Sequence, residues 1–139
     1  MNIPNRDYIG ALSAPVLHGK RLGRSLGFPT ANQEFAPDGG EISSGVYAVI
    51  CQVDGQRYIG VSDVGIRPSV TQGDDHILRC ETFLLDFSGD LYGKNMTVFF
   101  YQKLREETEF SSLDMLREAI EKNVSQAKAY FGRPARREK

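Results

Sequence analysis

The sequence predicts a mainly β domain: a closed or nearly closed antiparallel barrel with one C-terminal helix packed outside it. Three observations carry that expectation. Residues 46–53 and 57–64 are rich in β-branched and aromatic side chains and flank Asp54-Gly55, a strong signal for a two-residue hairpin turn. Residues 78–87 and 96–104 form two more strand-like runs around Ser88-Gly89-Asp90. A single helical pattern then closes the chain, and strands followed by one long helix argue for a barrel with a helix on its surface.

Taken in order, residues 8–17 read as an initial strand in which Pro15 cannot donate to a ladder, which marks an edge or a bulge. Residues 20–44 and 65–76 lack regular patterning, and loops of that length in a compact domain are functional or disordered. The segments 46–53 and 57–64 form the first expected hairpin, and 78–87 with 96–104 a second. In the last run Val98, Phe100 and Gln102 alternate with Phe99, Tyr101 and Lys103. The helix is expected after Ser111, whose hydroxyl can cap it with Asp114 three residues on. Leu113, Leu116, Ile120, Val124, Ala127 and Phe131 lie along one face, and Gly132 and Pro134 end it. Residues 133–139 read as a short, basic, solvated tail.

A chain of 139 residues fits one domain, 1–139, with its core at about 8–131. Seventeen basic against 18 acidic residues leave no global field to draw the protein onto nucleic acid or a membrane, so neither is expected as a partner. No apolar run reaches the length of a membrane span, and the first residues do not resemble a secretory signal, so the expectation is a cytoplasmic, monomeric protein. Cys51 and Cys80 sit in apolar runs without metal-ligand spacing and read as buried free thiols.

The chemistry concentrates in residues 18–32. Gly19, Gly23 and Gly27 let backbone approach a ligand closely, Lys20, Arg21 and Arg24 bring positive charge, and Thr30 and Asn32 offer oxygen ligands for a hard cation. The composition suits a nucleotide phosphate with Mg2+, and a mobile flap over the nucleotide is the reading given to the segment. The spacing is neither that of a P-loop nor Gly-x-Gly-x-x-Gly. Elsewhere, alternation along 78–87 puts Glu81 on the face of Phe83, Leu85 and Phe87, a carboxylate among apolar neighbours. Such a setting favours proton transfer by partial desolvation. The alternative for Glu81 is a strand-end carboxylate paired with Arg79. For Thr30 and Asn32 the alternative is turn chemistry after Pro29, and for Lys20, Arg21 and Arg24 a solvated charge run.

Residues 18–32, His-Gly-Lys-Arg-Leu-Gly-Arg-Ser-Leu-Gly-Phe-Pro-Thr-Ala-Asn, resemble the signature of the riboflavin kinase family. The resemblance continues through Gly45-Val46-Tyr47-Ala48, Val64-Gly65-Ile66-Arg67-Pro68, the block from Glu81 to Phe87, Asp90-Leu91-Tyr92-Gly93-Lys94, Leu104-Arg105, Phe110 and Ser112-Leu113. It implies a six-stranded Greek-key barrel that transfers the γ-phosphate of ATP to the ribityl 5′-hydroxyl of riboflavin, giving FMN and ADP. It implies Glu81 as catalytic base and Mg2+ held at Thr30 and Asn32. Gly19, Lys20, Gly23, Arg24, Gly27, Pro29, Leu84, Asp86 and Tyr92 would meet the nucleotide, and Arg105 and Phe110 the flavin. His18 could touch the nucleotide or serve the loop alone, and Asp90 reads as a turn cap.

Four residues depart from the family's usual pattern: Asp63 for asparagine, Ser69 for threonine, Glu109 for a basic residue and Asn123 for aspartate. None removes a proposed ligand or base. The family's bacterial members commonly carry an adenylyltransferase half, and no His-x-Gly-His motif occurs here, so FMN is the expected end product. The competing reading is a noncatalytic flavin or nucleotide sensor on the same barrel. A small barrel for single-stranded nucleic acid would call for a broad basic groove.

Overall fold

Strict alternation of inward and outward side chains decides the architecture. The structure, a computed structural model, describes residues 8–18, 30–36, 42–68 and 76–132. Its strands are β1 (Gly10–Pro15), β2 (Thr30–Phe35), β3 (Gly45–Val53), β4 (Gln56–Pro68), β5 (His76–Leu84) and β6 (Asn95–Arg105), followed by helix α1 (Leu113–Phe131). They form one antiparallel sheet in the order β1-β6-β3-β4-β5-β2. The two edges approach each other. Leu17, just past β1, bridges to Asn32 with its N–H donating to the Asn32 carbonyl at 2.7 Å. The buried Gln33 amide donates at 2.9 Å to the carbonyls of both Ala14 and Met96. These contacts tie β2 to β1 and β6 and nearly close a six-stranded Greek-key barrel.

Two hydrophobic layers result. Inside the barrel, Ala31, Phe35, Tyr47, Val49, Cys51, Val64, Leu78, Cys80, Val98 and Phe100 interlock. On the outer face, Val46, Ala48, Ile50, Val61, Phe83 and Tyr101 receive Ile120, Ala127 and Phe131 of α1. Each large aliphatic or aromatic side chain buried this way contributes roughly 1.5–3 kcal/mol. Both cysteines are free and buried, as expected. Burial pushes the Cys80 thiol up to about 11, and burial then proximity to Cys80 push Cys51 higher still.

The first hairpin is as expected, with Asp54 (φ 53°) and Gly55 (φ 75°) in the left-handed region that a tight hairpin turn requires. The second is not. β5 pairs with β4 and β2, whereas β6 pairs with β1 and β3. Asp86 (φ 56°) turns the chain out of the sheet after Leu84, so the next segment leads to another part of the barrel. The same turn moves Phe87 off the Glu81 face and onto the inner cluster beside Tyr58.

Within 20–44, read as unpatterned, lies strand β2, and β4 runs on through Gly65 to Pro68. The helix is capped by Ser112 rather than Ser111: Ser112 Oγ accepts from the Met115 N–H at 3.1 Å, while Ser111 Oγ contacts Met115 Sδ. Leu113 is exposed, and the buried helical face instead includes Asn123. The Gly132 N–H closes the helix on the Lys128 carbonyl at 2.8 Å. Pro134 and the 133–139 tail lie outside the described residues.

Candidate active site

Register places the candidate site. Asn32 on β2 is paired with Glu81 on β5, Glu81 with Asp63 on β4, Asp63 with Val46 on β3, and Val46 with Arg105 on β6. Directly paired residues project to the same face, so a single transverse row, Asn32–Glu81–Asp63–Val46–Arg105, crosses the outer surface of the barrel. Thr30, two residues before Asn32, shares its face of β2 and pairs with Phe83. Its neighbour Ala31 points inward, so β2 presents two oxygen-bearing side chains outward from alternate positions.

A cavity of about 420 Å³ covers one end of the row, lined by Leu17, His18, Asn32, Glu34, Asp63, Gly65, Arg79, Glu81 and Glu107. Arg79, the partner considered for Glu81 from sequence, reaches Glu34 Oε2 at 3.2 Å. With the Arg79 side chain 44% exposed, that pair is worth at most about 1 kcal/mol. Glu81 Oε2 and Asp63 Oδ1 are both shielded from solvent. A second, larger cavity of about 930 Å³ adjoins the start of α1, lined by Asp63, Glu107, Thr108, Glu109, Phe110, Ser111, Ser112, Leu113 and Leu116.

Arg105 and Phe110 come together as the sequence suggested, but stacked on each other. The guanidinium lies 5.2 Å from the ring centre, and Arg105 Nε donates to Asn123 Oδ1 at 3.0 Å. Asn123 Nδ2 in turn donates to Gln126 Oε1 at 2.9 Å. Asn123, noted in the sequence only as a departure, is therefore the buried helix residue that fixes Arg105 and, through it, Phe110 at the cavity wall. Sequence reasoning also missed Glu107, whose loop position carries no motif.

The nucleotide-binding expectations divide. His18 stacks on Tyr92 with ring centres 3.7 Å apart and planes 14° from parallel, bringing Tyr92 to the edge of the smaller cavity. The Tyr92 N–H is held by Asp90 Oδ1 at 3.0 Å, the turn cap expected for Asp90. Asp86 is exposed on its turn. Leu84 is buried in the barrel interior and lines neither cavity. Gly19, Lys20, Arg21, Gly23, Arg24, Gly27 and Pro29, and the flap reading, lie outside the described residues, as does Ser69. Their flanking residues, His18 and Thr30, both stand at the row.

Among the described residues no group of three or more His, Cys, Asp or Glu could hold a metal. The side-chain oxygens of Thr30 and Asn32 are neutral donors of the kind a hard cation takes together with phosphate oxygens and water. No helix among them is long and apolar enough to cross a membrane.

Comparison with known proteins gives the row its context. The bifunctional riboflavin kinase/FMN adenylyltransferase of Pseudomonas fluorescens is 44% identical over 127 residues, covering 91% of this chain and 40% of that protein. The RNA-binding riboflavin kinase of Bacillus subtilis is 40% identical over 114 residues, covering 82% of this chain and 48% of that one. This chain thus spans less than half the length of these relatives. The crystal structure of a macrolide-efflux protein from Streptococcus pneumoniae matches with a TM-score of 0.71 at 27% identity, over 85% of this chain and 38% of that one. Riboflavin kinase from Trypanosoma brucei, 23% identical, shares the fold with a TM-score of 0.58 over 89% and 80% of the two chains. The Flavokinase (riboflavin kinase) family profile matches residues 7–131, and the chain belongs to that family.

Proposed function

We propose that the chain is an ATP-dependent riboflavin kinase of the cytoplasm, moving the γ-phosphate of ATP to the ribityl 5′-hydroxyl to give FMN and ADP. The observation that carries this reading is the transverse row: Asn32, with Thr30 two residues away on the same face, stands beside the carboxylate of Glu81, and Arg105, which stacks on Phe110, lies three strands further along the same row. Phosphoryl transfer is chiefly a problem of position and charge, with an acceptor oxygen in line with the γ-phosphate.

Each residue then has a definite task. Glu81 accepts the proton of the 5′-hydroxyl as its oxygen attacks phosphorus. Asn32, one strand away, and Thr30, on the same face, are the residues that would hold Mg2+. When bound, the metal neutralises charge on the phosphate oxygens. Tyr92, stacked on His18, offers a flat surface for the adenine, and Phe110, steadied by Arg105, a flat surface for the flavin ring. The residues from Gly19 to Pro29 would cover the phosphates. The near-neutral charge supports small molecules rather than nucleic acid as partners.

Incubating the protein with riboflavin, ATP and Mg2+, and separating the products, tests the reading. FMN accumulation that requires both ATP and Mg2+ is the expected result. Tight binding of riboflavin or ATP without turnover would establish the sensor reading instead.

A further inference from the structure

The two cavities share two lining residues, Asp63 and Glu107. Asp63 stands at the strand position between Glu81 and Val46, with Arg105 one strand beyond. At the usual interstrand spacing, Asp63 is about 5 Å from Glu81 and the Arg105 position about 15 Å from it, measured across the sheet. A substrate whose flat end rests on Phe110 and whose reacting hydroxyl lies at Glu81 must therefore cross the Asp63 position with its middle section.

The chemistry of that crossing is one-sided. Phe110, Leu113 and Leu116 give the larger cavity apolar surface beside Thr108, Glu109, Ser111 and Ser112, and its junction with the smaller one carries two carboxylates. An ionised carboxylate only accepts hydrogen bonds, so it matches a chain of hydroxyl donors and nothing that presents acceptors. Asp63 lines both cavities and is only partly exposed there, which raises the worth of each such bond. An amide at the same place would offer one acceptor and two donors, a poorer partner for adjacent hydroxyls.

We propose that Asp63 is a specificity-determining residue that takes hydrogen bonds from the polyol chain of the acceptor, so that the site selects a flat ring carrying several hydroxyls over the ring alone. This rests on the kinase reading, in which Glu81 meets the terminal hydroxyl of that chain.

The test is equilibrium binding, which does not require turnover. Riboflavin and lumiflavin, the same ring with methyl in place of the ribityl chain, are titrated by flavin fluorescence against wild type, Asp63→Ala and Asp63→Asn with Mg2+ and ADP present. Wild type should bind riboflavin more tightly than lumiflavin. Asp63→Ala should weaken riboflavin about tenfold and leave lumiflavin unchanged, with Asp63→Asn intermediate. Equal weakening of both ligands, or none for riboflavin in either variant, would overturn the proposal. Asp63→Asn preserves size and serves alone should the alanine variant not fold. FMN production by wild type tests the kinase reading separately: a protein that makes FMN but shows no ring-versus-chain difference at Asp63 loses only this inference.

Discussion

The inner and outer faces of β2 and β5 are built from alternate residues of the same two strands, yet they do different work. Inward, Ala31, Gln33 and Phe35 meet Leu78, Cys80 and Leu84, and the buried Thr82 hydroxyl is 2.6 Å from that of Ser62. Outward, Asn32 and Glu34 face Glu81 and Arg79 at a polar cavity, and Thr30 is paired with Phe83 beside it. The inward set is core, whereas the outward set combines polar groups at the cavity with Phe83, which packs in the outer layer under the helix. Asn32, Glu81 and Asp63 are thereby placed on paired strands rather than on loops, and their relative positions follow the ladder beneath them.

This contrast can be broken at neighbouring positions. The largest effect is expected at Glu81: Glu81→Gln should lower turnover about 10³-fold while leaving the melting temperature unchanged or higher, since it removes a base and a buried charge but little packing. Steady-state FMN assays with parallel thermal melts measure both. Turnover within threefold of wild type would remove Glu81 from the mechanism.

On the inward face, Gln33→Ala should do the reverse. It deletes the two amide hydrogen bonds that hold β2 against β1 and β6, at about 2 kcal/mol, or a melting temperature about 7 °C lower for a chain of this size. Turnover per folded molecule well below the melting point should stay within about threefold, because the outward side chains of β2 remain paired with β5. Asn32→Ala, one step away, should leave the melt unchanged and raise the half-activating Mg2+ concentration about tenfold. An unchanged Mg2+ requirement would take Asn32 out of the metal site.

How much of this was legible in the sequence depended on the range of the interactions involved. The β3–β4 hairpin was readable because Asp54-Gly55 and its flanking β-branched residues are local signals. The helix was readable from its period, although its cap moved by one residue, from Ser111 to Ser112. Strand β2 was not: Thr-Ala-Asn-Gln-Glu-Phe places a polar glutamine at a core position, and only the carbonyls of Ala14 and Met96, far along the chain, make that position favourable. The β5–β6 hairpin was inferred from sequence adjacency, which the left-handed turn at Asp86 overrides. Glu81, Thr30 and Asn32 were named individually, through composition and resemblance. Their alignment with Asp63 and Arg105 in one row is a matter of long-range register that no local pattern encodes.

That row is the central claim, and it fixes an order: metal position at Asn32, base at Glu81, flavin ring toward Arg105 and Phe110. Replacing Mg2+ with paramagnetic Mn2+ in the presence of ADP, and following the broadening of each riboflavin resonance, reads that order directly. Broadening should be strongest at the ribityl terminus and decline steadily toward the far edge of the ring. Broadening that is greatest on the ring, or uniform along the molecule, would contradict the arrangement.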